Sequence, residues 1–147
     1  MELILIIVIL GIFATVAMTR TDSGLSTIRE QIAIDQITND IDLAKSMAFG
    51  KHETISIVYS TNNESYTIYS GVGNDRQPIS DFPNSDNGVI SLDNSTMRDV
   101  DLQSATFLNN SPELQFLPLG DPVSGGQITL NTKTISIEPV TGKWTIN

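Results

Sequence analysis

The chain has no cysteine among its 147 residues and only one histidine. Disulfide bonds and cysteine-ligated zinc are therefore excluded, and the redox compartment stays undetermined. Basic residues are also scarce, with eight Lys and Arg against 17 Asp and Glu, which gives a formal net charge of −9. Because affinity for phosphate groups depends on clustered Lys and Arg, this composition argues against electrostatic binding to nucleic acid or anionic lipid.

Catalytic motifs are absent as well. Gly50-Lys51 lacks the upstream glycines of a phosphate-binding loop, and no G-x-S-x-G nucleophile elbow occurs. His52 stands next to Glu53 at the predicted end of a helix, without a second histidine to share a metal. We interpret it as a solvent-facing junction residue, and we expect neither enzymatic activity nor a cofactor.

The feature that the chain does have is an apolar N-terminus. Glu2 is followed by residues 3–18, in which only Gly11 and Thr15 interrupt large apolar side chains and alanine. These 16 residues form about 24 Å of helix. A helix that crosses a bilayer needs roughly 20 residues, so the run is short for a membrane span. Three interpretations stay open. They are a cleaved secretory signal without the usual basic start, a buried core helix, and a membrane helix whose first residues precede this numbering.

The next segment is predicted to be an amphipathic helix. A polar break at 19–24 separates it from the apolar run, and Asp22 or Ser23 would cap it. The helical pattern runs through 25–49, and Gly50 is expected to end the helix. The apolar stripe contains Ile34, Ile37, Ile41, Ala44 and Ala48, with Leu25, Ile28 and Ile32 upstream, and the polar side contains Asp35, Asn39, Asp42 and Lys45. This stripe indicates a helix packed on a sheet, while its upstream part would also suit a helix–helix seam.

After the helix the apolar period changes to two, which is typical of β-strands. Segments 54–60 and 65–70 form a predicted hairpin, and 71–88 is a long loop rich in Gly, Pro, Asn and Asp. Further strands are predicted at 89–93, 100–107, 113–117, 127–131, 134–138 and 143–146, with tight turns at 131–133 and 139–142. One long helix followed by antiparallel strands is an α+β arrangement in which the helix covers a sheet.

Residues 2–17 resemble the N-terminus of type IV pilins and type II secretion pseudopilins. Glu2 matches the family's acidic residue at the head of an apolar helix, and Gly11 matches the glycine nine residues later. In that family a prepilin peptidase cuts after a glycine and leaves a short segment before the glutamate. Neither the leader nor that segment stands in this sequence, so we expect the true N-terminus to precede this numbering.

A second, weaker resemblance is to the H-type minor pseudopilins and their FimT relatives. The segment DIDLAKSMA at 40–48, followed by ISI at 55–57, is similar to their helix-to-hairpin junction. The segment ISIEPVTGK at 135–143 is similar to their C-terminal strand and turn.

The family resemblance implies a structural subunit, a minor pilin or minor pseudopilin, of a type IV pilus or type II secretion pseudopilus. Residues 1–20 would form a transmembrane and assembly helix, 21–50 an amphipathic helix packed on the globular domain, and 51–147 a β-rich periplasmic or extracellular domain. The chain would span the bacterial inner membrane once and later enter a filament. Implied partners are other pilin or pseudopilin subunits, prepilin peptidase, the inner-membrane assembly platform, and membrane lipid before assembly. Glu2 and Gly11 are the implied assembly residues, and Glu2 would neutralise a neighbour's N-terminal amine.

Two other functions stay open, namely a DNA-binding minor pilin for competence and an exported soluble β-rich domain released by signal cleavage. Some FimT relatives bind DNA through C-terminal basic residues, and the candidates here are Lys133, Lys143 and Trp144. Two lysines on so acidic a chain give weak support, so nucleic acid is not an expected partner.

No metal site is expected. Major pseudopilins bind calcium in loops, and the corresponding candidates here are Asp75, Asp81 and Asp86. Their spacing is not that of an EF-hand, and acids scattered along a polar loop are usually solvated.

Overall fold

The computed structural model describes the backbone of residues 2–147 and the side chains of residues 3–16 and 24–147. Its first element, α1, is one continuous helix at Glu2–Lys51, about 75 Å long at ~1.5 Å per residue. The predicted break at 19–24 is therefore wrong. The segment contains no proline, and a glycine costs only about 1 kcal/mol relative to alanine, so the helix propagates through it. The expected caps, Asp22 and Ser23, lie outside the described side chains.

The C-terminal end of α1 also differs from the prediction. Gly50 is still helical, and the residue that leaves the helix is His52, whose φ of 54° lies in the left-handed region. A glycine is favoured in that conformation, but histidine also adopts it more often than most residues do. His52 is exposed, as expected for a junction residue.

The second half of α1 packs on the domain through a stripe of fully buried side chains. The predicted stripe from Ile34 to Ala48 is confirmed, because all five of its members are 0% exposed. The upstream part is not on this face: Leu25, Ile28 and Ile32 are 42%, 57% and 38% exposed. The buried face instead continues through Ala33 to Glu30, which are 0% and 3% exposed.

The first sheet has five antiparallel strands. They are β1 (Ile55–Ser60), β2 (Ser65–Ser70), β3 (Gln77–Pro78), β4 (Val89–Ser91) and β6 (Glu113–Phe116). Their order is β3-β2-β1-β6, with β4 also paired to β2. The predicted β1–β2 hairpin is confirmed, and Ile57 lies opposite Ile68 in its register. The predicted loop 71–88 contains the short strand β3.

The second sheet has four antiparallel strands in the order β5-β7-β8-β9. They are β5 (Ser104–Thr106), β7 (Gly126–Thr129), β8 (Thr134–Ile137) and β9 (Trp144–Ile146). The predicted strand at 100–107 is reduced to its last part, because residues 100–103 form no strand. The predicted turn at 131–133 joins β7 to β8, and the Leu130 amide donates to the Lys133 carbonyl across it.

Both sheets share one hydrophobic core with α1. The fully buried apolar strand residues are Ile55, Ile57, Ile68, Leu114 and Phe116 in the first sheet and Ile128 and Ile135 in the second. The predicted α+β class is therefore confirmed, with one helix covering two sheets.

Candidate functional site

The first half of α1 carries a large apolar surface that none of the described residues covers. Residues 3–16, which we call the stem, are exposed throughout. Their large apolar side chains, from Leu3 to Val16, are between 44% and 70% exposed. Soluble monomers rarely expose contiguous apolar patches of more than a few hundred Å², and larger ones mark sites of interaction. The stem is the strongest candidate site in the described part of the chain.

The two predicted assembly residues lie in this half of the helix. The backbone of Glu2 begins α1, and its side chain lies outside the described ones. A Cβ added at Gly11 would meet nothing within 4 Å, so packing inside the chain gives no reason for a glycine there. The Thr15 hydroxyl donates to the Ile12 carbonyl at 2.8 Å, which satisfies it within the helix.

Membrane crossing is a separate criterion. Among the helical residues whose side chains are described, no stretch is long and apolar enough to qualify as a membrane span.

Glu30 joins α1 to the second sheet. Its carboxylate accepts hydrogen bonds from the Thr132 hydroxyl at 2.6 Å, the Thr132 amide at 2.7 Å and the Lys133 amide at 3.1 Å. Burial by itself would raise the pKa of Glu30, but these hydrogen bonds and the positive charge of Lys133 outweigh it. The pKa therefore lies below its usual value. An ionised carboxylate thus holds the β7–β8 turn against the helix.

Asp40 joins α1 to the first sheet in a different electrostatic setting. It is 4% exposed and accepts hydrogen bonds from the Tyr66 hydroxyl at 2.6 Å and the Gln36 amide at 2.9 Å. Burial raises the pKa of Asp40 above its usual value, although both hydrogen bonds act in the opposite direction. Burial and the Asp40 carboxylate likewise raise the pKa of Tyr66 well above its usual value. The carboxylate of Asp40 thus has two neutral hydrogen-bond donors, and they do not offset the effect of burial on its pKa. Glu30 has three donors and a nearby lysine, and together they do.

Sequence reasoning missed both carboxylates, although a signal was present. Residues 30, 33, 37, 40, 44 and 48 repeat at three- and four-residue spacing, so Glu30 and Asp40 occupy positions of the apolar stripe. A search for apolar residues alone selects Ile28 and Ile32 and passes over them. An acid at a stripe position is a polar residue for which a partner must be found.

The calcium candidates are not brought together. Within the described side chains, no group of three or more His, Cys, Asp or Glu residues is arranged to hold a metal ion. Asp86 accepts a hydrogen bond from the neighbouring Asn87 side chain at 3.1 Å, and Asp75 and Asp81 are exposed.

The DNA-binding candidates are dispersed as well. Lys133 lies just before β8, and Lys143 faces Glu138 just beyond the end of that strand. The two lysines are therefore roughly 17 Å apart at the ~3.4 Å rise of a strand. The Lys133 ammonium donates to Gln31 at 2.8 Å. Trp144 lies on the edge strand β9, half-buried against the core, and its indole donates to Asp42 at 3.1 Å.

The chain is similar to known proteins in its three-dimensional structure only. No protein-family model matches the chain, and no curated protein matches it significantly. Two solved structures are similar to it, both of the type IV minor pilin FimU from Pseudomonas aeruginosa strain PAO1, in space groups P65 and P21. Their TM-scores are 0.53 and 0.52 at 16% identity, over 80% of this chain and 91% and 87% of theirs. At this identity the likeness concerns the fold: the chain has the α+β fold of these minor pilins, a long N-terminal helix packed on antiparallel sheets.

Proposed function

We propose that this chain is a structural subunit, a minor pilin or minor pseudopilin, of a type IV pilus or type II secretion pseudopilus. The observation that carries the proposal is the exposed stem, on the same continuous helix that packs into a domain with a minor-pilin fold. A surface of this kind is covered only when the stem enters a bilayer or lies among other apolar helices. A filament whose centre is built from such stems satisfies that requirement. We propose no catalytic role.

The proposal includes a cellular route. The stem holds the subunit in the bacterial inner membrane before assembly, with the domain in the periplasm. Prepilin peptidase and the inner-membrane assembly platform then act on it. The resemblance of 40–48 and 135–143 to H-type minor pseudopilins and their FimT relatives supports that branch.

Glu2 has the most specific role in the proposal. Burial of an isolated carboxylate costs several kcal/mol, and pairing with a neighbour's N-terminal amine offsets much of that cost. The acid at the head of the stem would therefore be tolerated only when a second subunit supplies the positive charge. This makes Glu2 a determinant of the position of one subunit beside the next.

The first test is the N-terminus of the native protein, measured by intact mass and N-terminal sequencing in cells with and without prepilin peptidase. We expect a methylated N-terminus a few residues before Met1 that disappears without the peptidase. A start near Met18 in both strains would instead identify a cleaved signal and an exported soluble domain. Met1 retained in both strains would identify a permanent anchor and contradict the filament proposal.

The second test is the variant Glu2→Gln, which keeps the size of the side chain and removes its charge. We expect a folded domain and much reduced incorporation into filaments, measured by immunoblotting of sheared filaments. Asp81→Asn is the matched control, since it removes one exposed acid from the loop that follows β3. Equal incorporation of Glu2→Gln and the wild type would exclude the pairing role.

A further inference from the structure

A surface cleft of about 470 Å³ lies between the end of β1 in the first sheet and β5 in the second. Its volume is within the range of about 300–1,000 Å³ that is typical of ligand sites. Asp, Glu, Lys and Arg make up 17% of the chain, yet none of them is among the described residues that line this cleft. The cleft is therefore a neutral site on an acidic protein.

β5 forms one wall of the cleft and has a free edge there. Its partner in the sheet is β7, and Ala105 lies opposite Ile128 in their register. The Leu130 amide donates to the Lys133 carbonyl on the β8 side. Ile128 directs its backbone groups to the same side, because successive residues of a strand point to alternate sides. Ala105 and Ile128 therefore exchange no hydrogen bond. The N–H and C=O of Ala105 point away from β7, and no described residue bonds to them.

The end of β1 forms the opposite wall. The pairing of β1 with β6 runs from Ile55 to Val58, and beyond it the Tyr59 amide donates to the Pro112 carbonyl at 3.0 Å. Proline has no N–H, so Pro112 returns no hydrogen bond to the Tyr59 carbonyl. The ladder of the first sheet therefore stops at Pro112 and leaves the Tyr59 carbonyl without a donor from β6.

The side chains around these backbone groups are uncharged and able to form hydrogen bonds. They include Ser60, Thr61, Asn62, Ser104, Thr106 and Asn110. None of these six side chains is hydrogen-bonded to another residue in the described part of the chain. Hydroxyl and amide groups both donate and accept hydrogen bonds, so the cleft has unused capacity of both kinds.

We propose that this cleft binds an extended, uncharged peptide segment of another protein, which adds to β5 as a further strand. The unpaired backbone groups of an edge strand are a template for pairing with another chain, and main-chain hydrogen bonds provide the affinity in such complexes. Ala105 offers a donor and an acceptor, and Tyr59 offers a second acceptor from the opposite wall. A charged segment is disfavoured, since its charge would lose water here without gaining an opposite charge.

A neutral saccharide would also suit a lining of hydroxyl and amide groups, but the cleft offers it no ring to stack on. The aromatic residue of the described lining is Tyr59, which is only 3% exposed. The open edge of β5, in contrast, matches the backbone of a peptide. The inference does not depend on filament assembly, because the cleft lies in the β-rich domain and not on the stem.

Hydrogen exchange at the Ala105 amide tests the proposal on the unaltered full-length protein. The protein is studied in detergent by NMR, with and without a millimolar pool of capped hexapeptides built from Ser, Thr, Val and Ala. We expect the Ala105 amide to exchange quickly alone and about tenfold more slowly with the pool, because it gains one hydrogen bond. A pool of the same composition that is N-methylated at every residue has no amide donors, and we expect it to bind about tenfold more weakly.

A proline substitution on each edge of the second sheet provides the matched pair of variants. Ala105→Pro removes the N–H that faces the cleft and should weaken binding of the pool about tenfold. Ile146→Pro is the control on the other edge strand, β9. The Asn147 amide and carbonyl both bond to Thr134 of β8, so the N–H of Ile146, one residue earlier, points away from that strand. Proline is tolerated at such outward-facing edge positions, and we expect Ile146→Pro to bind the pool as the wild type does.

Three results would overturn the inference. The first is unchanged exchange at Ala105 in the presence of the pool, which is measured on the wild type and so does not depend on the folding of any variant. The second is equal binding of the normal and N-methylated pools, because main-chain pairing requires the amides. The third is binding of the neutral hexasaccharide maltohexaose without binding of the peptides, which would replace a peptide ligand by a saccharide.

Discussion

The two halves of α1 have the same backbone conformation and opposite surroundings. In the stem every described residue is exposed, whereas between Ala33 and Ala48 six apolar side chains are completely buried. The stem is the more hydrophobic half, yet it is the half without cover. Its sequence is apolar on all sides, whereas this small domain buries only one stripe of the described part of α1.

This difference indicates a division of roles within one helix. The second half has a polar face and an apolar face, so packing on the domain satisfies it. The first half has no polar face, and association with a bilayer or with other chains is required to satisfy it. Fold stability should therefore depend on the second half and assembly on the first.

The largest effect is expected from Ile37→Ala, compared with Ile7→Ala as its matched control. Ile37 is 0% exposed and Ile7 is 59% exposed. Deletion of a buried isoleucine side chain lowers the free energy of unfolding by about 2–5 kcal/mol, whereas an exposed substitution changes it by less than about 0.5 kcal/mol. Urea unfolding of both full-length variants in detergent measures the difference. Equal losses would mean that the stem is part of the folding unit.

A smaller effect is expected from Tyr66→Phe. The change leaves Asp40 buried with only its Gln36 hydrogen bond, and loss of a hydrogen bond to a buried acceptor costs about 1–3 kcal/mol. Tyr59→Phe is the control, because the Tyr59 hydroxyl is buried without a hydrogen-bond partner among the described residues. We expect it to retain or increase stability in the same urea titration. A loss as large as that of Tyr66→Phe would show that the Tyr59 hydroxyl has a stabilising contact.

The two carboxylates should respond to pH with opposite sign. The pKa of folded Glu30 lies below the usual 4.5. Its stabilisation is therefore complete above that value and is lost as pH falls through the folded pKa. The pKa of folded Asp40 lies above the usual 3.8, so its contribution is complete below that value and is lost as pH rises through the folded pKa. Ionised Asp40 is thus less favourable in the folded protein than in the unfolded chain.

Urea midpoints measured from about pH 3 to pH 7 should show this, since these values bracket the usual carboxyl range. The stability difference between wild type and Glu30→Gln should increase with pH below the usual Glu pKa. The difference between wild type and Asp40→Asn should decrease with pH above the usual Asp pKa. Slopes of the same sign for both variants would contradict the opposite pKa shifts of Glu30 and Asp40.

The smallest effect is expected from Asp99→Asn at the boundary between the two halves. Its partner Arg29 is 29% exposed and Asp99 itself is 64% exposed. Exposed ion pairs contribute about 0.2–1 kcal/mol and less at high salt. The urea midpoint should therefore shift slightly at low salt and not at high salt. A larger, salt-independent loss would mean that this pair, rather than Glu30, fixes the start of the packed half.

The sequence by itself determined the features that depend on local pattern. Strand β2 begins and ends where its alternation predicts, and the stripe from Ile34 to Ala48 is buried as its spacing predicts. The apolar composition of the stem is likewise read from the sequence, whereas its exposure is a result of the structure, since the sequence left a buried core helix open. Each of these features depends on residues close together in the chain.

Only the tertiary structure decided which upstream face of α1 is buried. Sequence favours Ile28 and Ile32, but the core takes Glu30, whose donor Thr132 lies 102 residues away in the chain. Within the confirmed stripe the core also takes Asp40, whose donor Tyr66 lies 26 residues away. A buried carboxylate is tolerated only where donors converge on it, and that convergence is a property of the folded chain.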